Sequence, residues 1–114
     1  MIAKKHLYVL WTSADPITAD KMVFMYTINS MAHGWWDEIT LVIWGGSTKL
    51  VSENEAIQQR VKDAQDAGIE VSACKGCSDQ LGVTEKLEAL GVDVKYLGVA
   101  LTDVLKSEDT LLTI

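Results

Sequence analysis

The chain has 114 residues, a formal net charge of −6 and 48% hydrophobic residues. A chain of this length buries a core of its own, so we expect a single domain over residues 1–114. The acidic balance and the scattered lysines argue against nucleic acid and anionic membrane surfaces as partners, because both repel a negative protein.

The apolar segment near the start is too short for a targeting signal. It runs from Leu7 to Trp11 and is followed by TSADP, which is typical of a turn and a helix cap. A secretory signal needs an apolar stretch of about 7–15 residues, and no stretch approaches the roughly 18 apolar residues of a membrane span. We therefore predict a cytoplasmic protein whose thiols stay reduced.

The first third of the chain predicts a strand, a long helix and a second strand. Residues 6–11, HLYVLW, form a short apolar run with β-branched and aromatic members, which is typical of a strand buried on both faces. Asp15 is a good N-cap, Pro16 suits the first helical position, and Gly34 is placed to end the helix. The second buried strand is predicted over residues 38–44.

The rest of the chain continues this alternation of helices and strands. We predict helices over residues 53–67, 84–90 and 100–106, a short turn or helix over residues 78–81, and strands over residues 69–74, 92–97 and 110–114. Such alternation indicates a parallel sheet with helices on both sides. The predicted fold is therefore a three-layer α/β domain with a five-stranded, mainly parallel sheet.

The first helix is apolar around most of its circumference. Ten of the sixteen residues from 17 to 32 are apolar, and one face of a sheet does not cover a helix of that kind. Trp35 and Trp36 extend the same surface, and large aromatic residues are enriched at interfaces. We therefore predict a homo-oligomer; a well-covered core helix is the alternative.

Sites in open α/β sheets lie beyond the carboxyl ends of the strands. The candidate residues here follow the first three strands: Trp11, Thr12 and Ser13; Trp44, Gly45 and Gly46; Cys74, Lys75, Gly76 and Cys77. Trp11 and Trp44 end neighbouring strands and either wall a hydrophobic pocket beside Cys74 or belong to the core, where at least one is expected. The WGGSTK stretch lacks the spacing of a phosphate loop, which predicts a tight turn.

The two cysteines, separated by two residues, leave several interpretations open. A structural zinc site needs four ligands, and the chain adds only His6 and His33, with His6 expected at the opposite edge of the sheet. A dithiol–disulfide couple suits CxxC at a helix N-terminus, but a thioredoxin-like arrangement needs a cis-proline, and the only proline, Pro16, caps a helix. Two small residues packed at a strand end are a further interpretation.

A single nucleophilic thiol that accepts and passes on sulfur is the leading interpretation. Such a thiol needs solvent access, amide donors and a nearby positive charge. Cys74 is then the nucleophile, Cys77 a resolving or tuning thiol and Lys75 an electrostatic aid, while Asp79 opposes it. The sequence indicates no cofactor and no metal, and whether the protein is an enzyme stays open.

Three stretches resemble the DsrE/DsrF-like family: LYVLWTSADPITADKMVFMYTINSMAHG, ITLVIWGGSTKLV and VSACKGCSDQLGV. Family members place a cysteine at the end of the third strand, eight residues before a Gly-Val pair, and Cys74 with Gly82 and Val83 matches that spacing. The resemblance implies that Cys74 carries persulfide sulfur between donor and acceptor proteins, and that the chain forms a homotrimer or homohexamer. A non-catalytic oligomer that binds a small ligand or a partner peptide is the alternative from another functional class.

Overall fold

The structure, a computed structural model, describes residues 4–114, so the first three residues of the predicted domain lie outside the described part. Its strands are β1 (His6–Trp11), β2 (Glu38–Ile43), β3 (Glu70–Cys74), β4 (Asp93–Lys95) and β5 (Thr110–Thr113). Its helices are α1 (Pro16–Thr18), α2 (Met25–His33), α3 (Gly46–Glu53), α4 (Glu55–Asp66), α5 (Lys75–Leu81), α6 (Thr84–Ala89) and α7 (Gly98–Lys106), and a π-helical segment, Ala19–Phe24, joins α1 to α2. The predicted α/β class is confirmed.

The five strands form one sheet in the order β4-β3-β2-β1-β5, and every pairing is parallel. Trp11 is paired with Ile43, Ile43 with Ala73, and Cys74 with Lys95. Because all strands run in the same direction, the segments that follow them meet at one side of the sheet. We call that side the carboxyl edge.

Alternate residues along each strand point to opposite sides of the sheet. The closed face consists of residues that are at most 4% exposed: Leu7, Val9, Trp11, Ile39, Leu41, Ile43, Val71 and Ala73. They share one hydrophobic core with buried side chains from the π-helical segment and from α3, α4 and α6. Burial of this apolar surface is the main source of stability for the fold.

The open face is formed by the intervening residues and is covered less completely. Tyr8, Leu10, Val42 and Trp44 on this face are half-buried. Its helical cover comes from α7, which has no buried residue of its own. Helices therefore flank the sheet on both sides, as predicted, but unequally.

The first helical region begins and ends where the sequence predicts. The Asp15 carboxylate accepts a hydrogen bond from the Thr18 amide at 2.8 Å, Pro16 is the first helical residue, and Gly34 ends α2 at φ 67°. The π-helical segment between them was not predicted. Its residues Val23 and Phe24 are fully buried against the sheet.

The segment after β2 differs from the prediction. Instead of a tight turn followed by one helix over residues 53–67, the chain forms two helices, α3 and α4. Asn54 separates them and caps α4, its side chain accepting from the Ile57 amide at 3.0 Å. Gly46, at the start of α3, lies so close to β1 that a Cβ atom there would be 2.9 Å from the Thr12 carbonyl oxygen. A close approach of two backbones, rather than a turn, accounts for the glycine at this position.

Candidate functional site

The two cysteines lie at the carboxyl edge, as their positions in the sequence predict. Cys74 is the last residue of β3 and the N-cap of α5, and Cys77 lies in the first turn of α5. Both are free thiols; Cys74 is 8% exposed, whereas Cys77 is half-buried. A Cβ atom on Gly76 would be 3.9 Å from the Cys74 sulfur. The glycine between the cysteines thus leaves room at the only slightly exposed sulfur.

Two groups close to the Cys77 sulfur act on its protonation: the backbone amide of Gly45 and the side chain of Cys74. Burial raises the pKa of Cys77, the Gly45 amide opposes that shift, and the neighbouring Cys74 sulfur adds to it. Cys77 is therefore a protonated thiol at neutral pH, and a thiol in that state can donate to the Cys74 sulfur.

Lys75 forms an ion pair within α5. Its Nζ lies 2.8 Å from Oδ2 of Asp79 and 5.7 Å from the centre of the Tyr96 ring. The hydrogen bond to Asp79 raises the pKa of Lys75, and the same bond, with a second from Thr84, lowers the pKa of Asp79. The charge of Lys75 is thus balanced locally by Asp79. The predicted electrostatic aid and the predicted opposing charge form one pair.

Thr84 connects α5 to α6 through its hydroxyl. It is the first residue of α6, and Val83 occupies the N-cap position. The Thr84 hydroxyl donates to Asp79 at 2.5 Å and lies 2.7 Å from the Ser78 hydroxyl. This network joins the end of α5 to the start of α6, and so fixes the helix that carries Cys77.

Ser47 is a residue of the carboxyl edge that the sequence reasoning missed. Its fully buried hydroxyl donates to the Trp11 carbonyl at 2.6 Å and accepts from the Trp44 amide at 3.1 Å. It therefore ties the ends of β1 and β2 to the start of α3, next to the Gly45 amide that lies close to Cys77. The sequence feature that indicates this role is a serine directly after two glycines at the end of a strand. At such a position a serine hydroxyl can form hydrogen bonds with nearby backbone groups.

The two tryptophans at the strand ends do not form a common pocket wall. Trp11 is fully buried and packs edge-on against Phe24, with ring centres 5.3 Å apart. Trp44 follows the residue that pairs with Trp11, so it lies on the open face, where it lines a cleft under α7. One tryptophan in the core was predicted, and Trp11 is that residue. The joint wall beside Cys74 does not form, because the two rings lie on opposite sides of the sheet.

Thr12 and Ser13 serve the chain end and the first helix. The Thr12 hydroxyl donates to the Ile114 carbonyl at 3.0 Å, and the Ser13 hydroxyl accepts from the Asp15 amide at 3.1 Å. Of the residues predicted around the pocket, Gly45 and Gly76 are the two that lie near a cysteine sulfur.

Two searches of the part of the chain that the structure describes concern metal ligands and long apolar helices. Over residues 4–114, no group of three or more His, Cys, Asp or Glu side chains is arranged to hold a metal ion. His6 is bonded to Thr40, with 2.8 Å between Nε2 and Oγ1, at the start of β1. Within the same described range, no helix has both the length and the apolar character needed to cross a membrane.

A model of the DsrE/DsrF-like family matches residues 5–114, almost the whole chain. The chain belongs to the DsrE/DsrF-like family. The resemblance inferred from the cysteine segment and the strand pattern is thus confirmed. Membership supports, in general terms, a small protein of the sulfur-relay type.

Two solved structures are similar to this DsrE/DsrF-like chain. The conserved protein of unknown function BT1422 from Bacteroides thetaiotaomicron is 35% identical with a TM-score of 0.95, covering 96% of this chain and 95% of that one. The ychN protein from E. coli is 18% identical with a TM-score of 0.72, covering 98% of this chain and 100% of that one. At this identity the similarity supports a shared fold and nothing more. A search of curated proteins found no match.

Proposed function

We propose that this protein carries sulfur as a persulfide on Cys74 and passes it between donor and acceptor proteins of the cytoplasm. The observation that carries the proposal is the closeness of two free thiols at the carboxyl edge, where burial and the neighbouring Cys74 raise the pKa of Cys77. Family membership supports the same class of function. The nearby Cys77 thiol adds a structural reason for assigning the persulfide to Cys74.

The transfer step conserves atoms and electrons without an external oxidant. The Cys74 thiolate attacks the outer sulfur of a donor persulfide, R–S–SH, and a new S–S bond forms on Cys74 as the donor's S–S bond breaks. The donor leaves as the thiolate R–S⁻, and Cys74 becomes Cys74–S–SH. An acceptor thiolate then removes the outer sulfur by the same displacement, which regenerates the Cys74 thiolate.

Cys77 and Gly45 support the charge that this chemistry develops. The protonated Cys77 thiol donates toward the Cys74 sulfur, and hydrogen bonds to ionised groups are stronger than neutral ones. The Gly45 amide lies close to the Cys77 sulfur and opposes the rise in its pKa. Lys75, paired with Asp79, acts only through the combined field of that pair. In this proposal Cys77 tunes Cys74 more directly than Lys75 does.

The proposed assembly is a homotrimer or homohexamer. Four large apolar side chains near the first helical region are between 40% and 70% exposed in the single chain: Ile17, Met22, Met25 and Trp35. Large exposed apolar side chains in one region are typical of interaction sites. The size of the assembly can be measured by analytical ultracentrifugation.

Intact-mass spectrometry after incubation with glutathione persulfide tests the proposal. The reduced protein should gain the mass of one sulfur atom, and Cys74→Ser should not. Cys77→Ser is the matched control, because it removes the neighbouring thiol but keeps the nucleophile; it should still gain the sulfur, at a lower rate. A Cys74→Ser protein that gains the sulfur as fully as the parent would remove Cys74 from this role.

Dithiol exchange is a second candidate function, favoured by the same closeness of the Cys74 and Cys77 thiols. Two exchanges with a disulfide R–S–S–R would oxidise the pair to an internal disulfide and release two R–SH. Oxidised glutathione should then produce a Cys74–Cys77 disulfide, which dithiothreitol reverses and peptide mapping detects. Inertness toward persulfide and disulfide, with slow maleimide labelling of the folded protein, would instead indicate a non-catalytic oligomer.

A further inference from the structure

A cleft of about 190 Å³ separates the open face of the sheet from α7. Leu10, Val42 and Trp44 line it from the sheet, and Leu101 and Val104 line it from α7. These five side chains are half-buried, so the cleft is bounded by apolar groups that the fold itself does not cover fully. A cavity of about 150 Å³ with apolar walls is large enough to bind benzene. The cleft therefore has room for a molecule of one or two rings.

Ser72 places a hydroxyl in the wall of the cleft. Ser72, in the middle of β3, is 2% exposed and lines the cleft. Among residues 4–114, no side chain or backbone group forms a hydrogen bond with its hydroxyl. A molecule that displaces water from the cleft must replace the hydrogen bond of water to this hydroxyl, or leave the hydroxyl unpaired at a cost in free energy. Ser72 thus indicates a ligand with a hydrogen-bonding group on an otherwise apolar body.

The rings around the cleft favour a planar occupant. Trp44 lines the cleft near the carboxyl edge, and Tyr8 and His6 lie toward the other end, stacked with ring centres 4.0 Å apart. Aromatic side chains pack well against flat rings, either offset-stacked or edge-on. A planar molecule fits these surfaces better than a branched aliphatic one of the same volume.

The charges at the mouth of the cleft disfavour an anion. Glu70 lines the cleft, and the only Lys or Arg in its lining, Lys95, is already paired with Asp93 at 2.8 Å. The carboxylates of Asp109, Glu70 and Glu38 also act on the Tyr8 hydroxyl, where burial and these charges raise the pKa. An anionic ligand would meet this negative field with no unpaired cation from the lining, whereas a neutral one would not.

We infer that the cleft under α7 is a binding site for a neutral, planar aromatic molecule of one or two rings that bears one hydrogen-bonding group for Ser72. The site lies on the open face, and the inference uses no property of the thiols. It therefore stands or falls independently of persulfide carriage.

Isothermal titration calorimetry with phenol, benzene and benzoate tests this inference on the full chain. Phenol should bind most tightly, benzene more weakly because it cannot bond to Ser72, and the benzoate anion most weakly. Ser72→Ala should weaken phenol binding by roughly fivefold, the usual size of one hydrogen bond, and leave benzene binding unchanged. Absence of phenol binding, or benzoate binding as tight as phenol, would overturn the inference.

Substitutions on α7 locate the site. Val104→Phe fills the cleft and should weaken phenol and benzene binding at least tenfold, whereas Leu105→Phe is the matched control, because Leu105 is 63% exposed on the same helix. Circular dichroism checks the fold, and Ala100→Leu, at another lining position, replaces Val104→Phe if that variant does not fold. Equal effects of the lining and control substitutions would overturn the site.

A second copy of the chain is the competing occupant of the cleft. If it covers the open face, Val104→Phe should dissociate the oligomer in sedimentation velocity, Leu105→Phe should not, and phenol should fail to bind the parent assembly. That combination assigns the cleft to a subunit interface and overturns the inference. Phenol binding with an unchanged sedimentation coefficient supports it.

Discussion

The two faces of the sheet are built from the same strands but differ in cover. On β1, the closed-face residues Val9 and Trp11 are fully buried, whereas Tyr8 and Leu10 on the open face are half-buried. All of these positions are apolar or aromatic, so the difference lies in what packs on each side rather than in the strand composition. Stability is concentrated on one face, and the other keeps apolar surface and the Ser72 hydroxyl available to another molecule.

The largest expected effect is a difference in unfolding free energy between matched leucines on the two faces. Leu41→Ala on the closed face should destabilise the fold by about 3–4 kcal/mol, because it leaves a cavity in a fully packed core. Leu10→Ala on the open face should cost about 1–2 kcal/mol, because its side chain is only half-buried. Urea unfolding measures both. Equal costs would show that the open face is packed as fully as the closed one in solution.

Ser47 tests how firmly the closed face is joined to the carboxyl edge. Ser47→Ala removes a buried hydroxyl that bonds both Trp11 and Trp44, so the loss should be about 1–3 kcal/mol. Ser52→Ala is the control on the same helix: its buried hydroxyl bonds only the Lys49 carbonyl, one turn back, and the loss should be about 1 kcal/mol or less. The same urea unfolding compares them. A smaller loss for Ser47→Ala than for Ser52→Ala would contradict the proposed link.

The strands and the first helical region could be predicted because their signals are local. The apolar run over His6–Trp11 gives β1 with the observed bounds, and Asp15, Pro16 and Gly34 mark the helix ends through their own conformational preferences. Helix α3 could not be predicted in the same way. Its first turn is held by the bond from Ser47 to Trp11, which is 36 positions away, and glycines at its start favoured a turn.

The position of the two cysteines in the fold was predictable, but their surroundings were not. The rule that parallel strands end at one edge placed Cys74 and Cys77 at the right location. The closeness of the Gly45 amide to the Cys77 sulfur depends on how α3 approaches α5, and the separation of Trp11 from Trp44 depends on the β1–β2 register. Both are tertiary properties that neighbouring residues in the sequence do not determine.

The pH dependence of Cys77 labelling tests how strongly burial acts on a thiol at the carboxyl edge. Because burial raises its pKa, the folded state holds this proton more tightly than the unfolded state. The stability that this proton contributes is fully present below the pKa of Cys77 in the unfolded state, and it is lost as the pH rises through the pKa in the folded state. In Cys74→Ala, iodoacetamide labelling of Cys77 should reach half its maximal rate at a higher pH when folded than in urea. Identical midpoints would show that Cys77 is not shielded from solvent.

Tyr8 provides the equivalent pH test on the open face, where we expect the smallest effect. Burial, followed by the charges of Asp109, Glu70 and Glu38, raises its pKa, so its stability contribution is present below the unfolded pKa and lost as the pH rises through the folded one. The difference between the absorbance titrations of the parent and Tyr8→Phe gives the Tyr8 midpoint, which should lie above that of the unfolded chain.

Charge substitutions separate the causes of the Tyr8 shift and connect it to the cleft. Asp109→Asn should lower the Tyr8 midpoint more than Glu70→Gln, because Asp109 is the larger charge effect, and Glu85→Gln on α6 is the distant control. Benzene in the cleft adds no charge but removes water beside Tyr8, so it should raise the midpoint further. A midpoint insensitive to benzene, in a protein that calorimetry shows to bind it, would place the bound molecule away from the open face. The same titration thus reports whether a ligand occupies the cleft on the less covered face of the sheet.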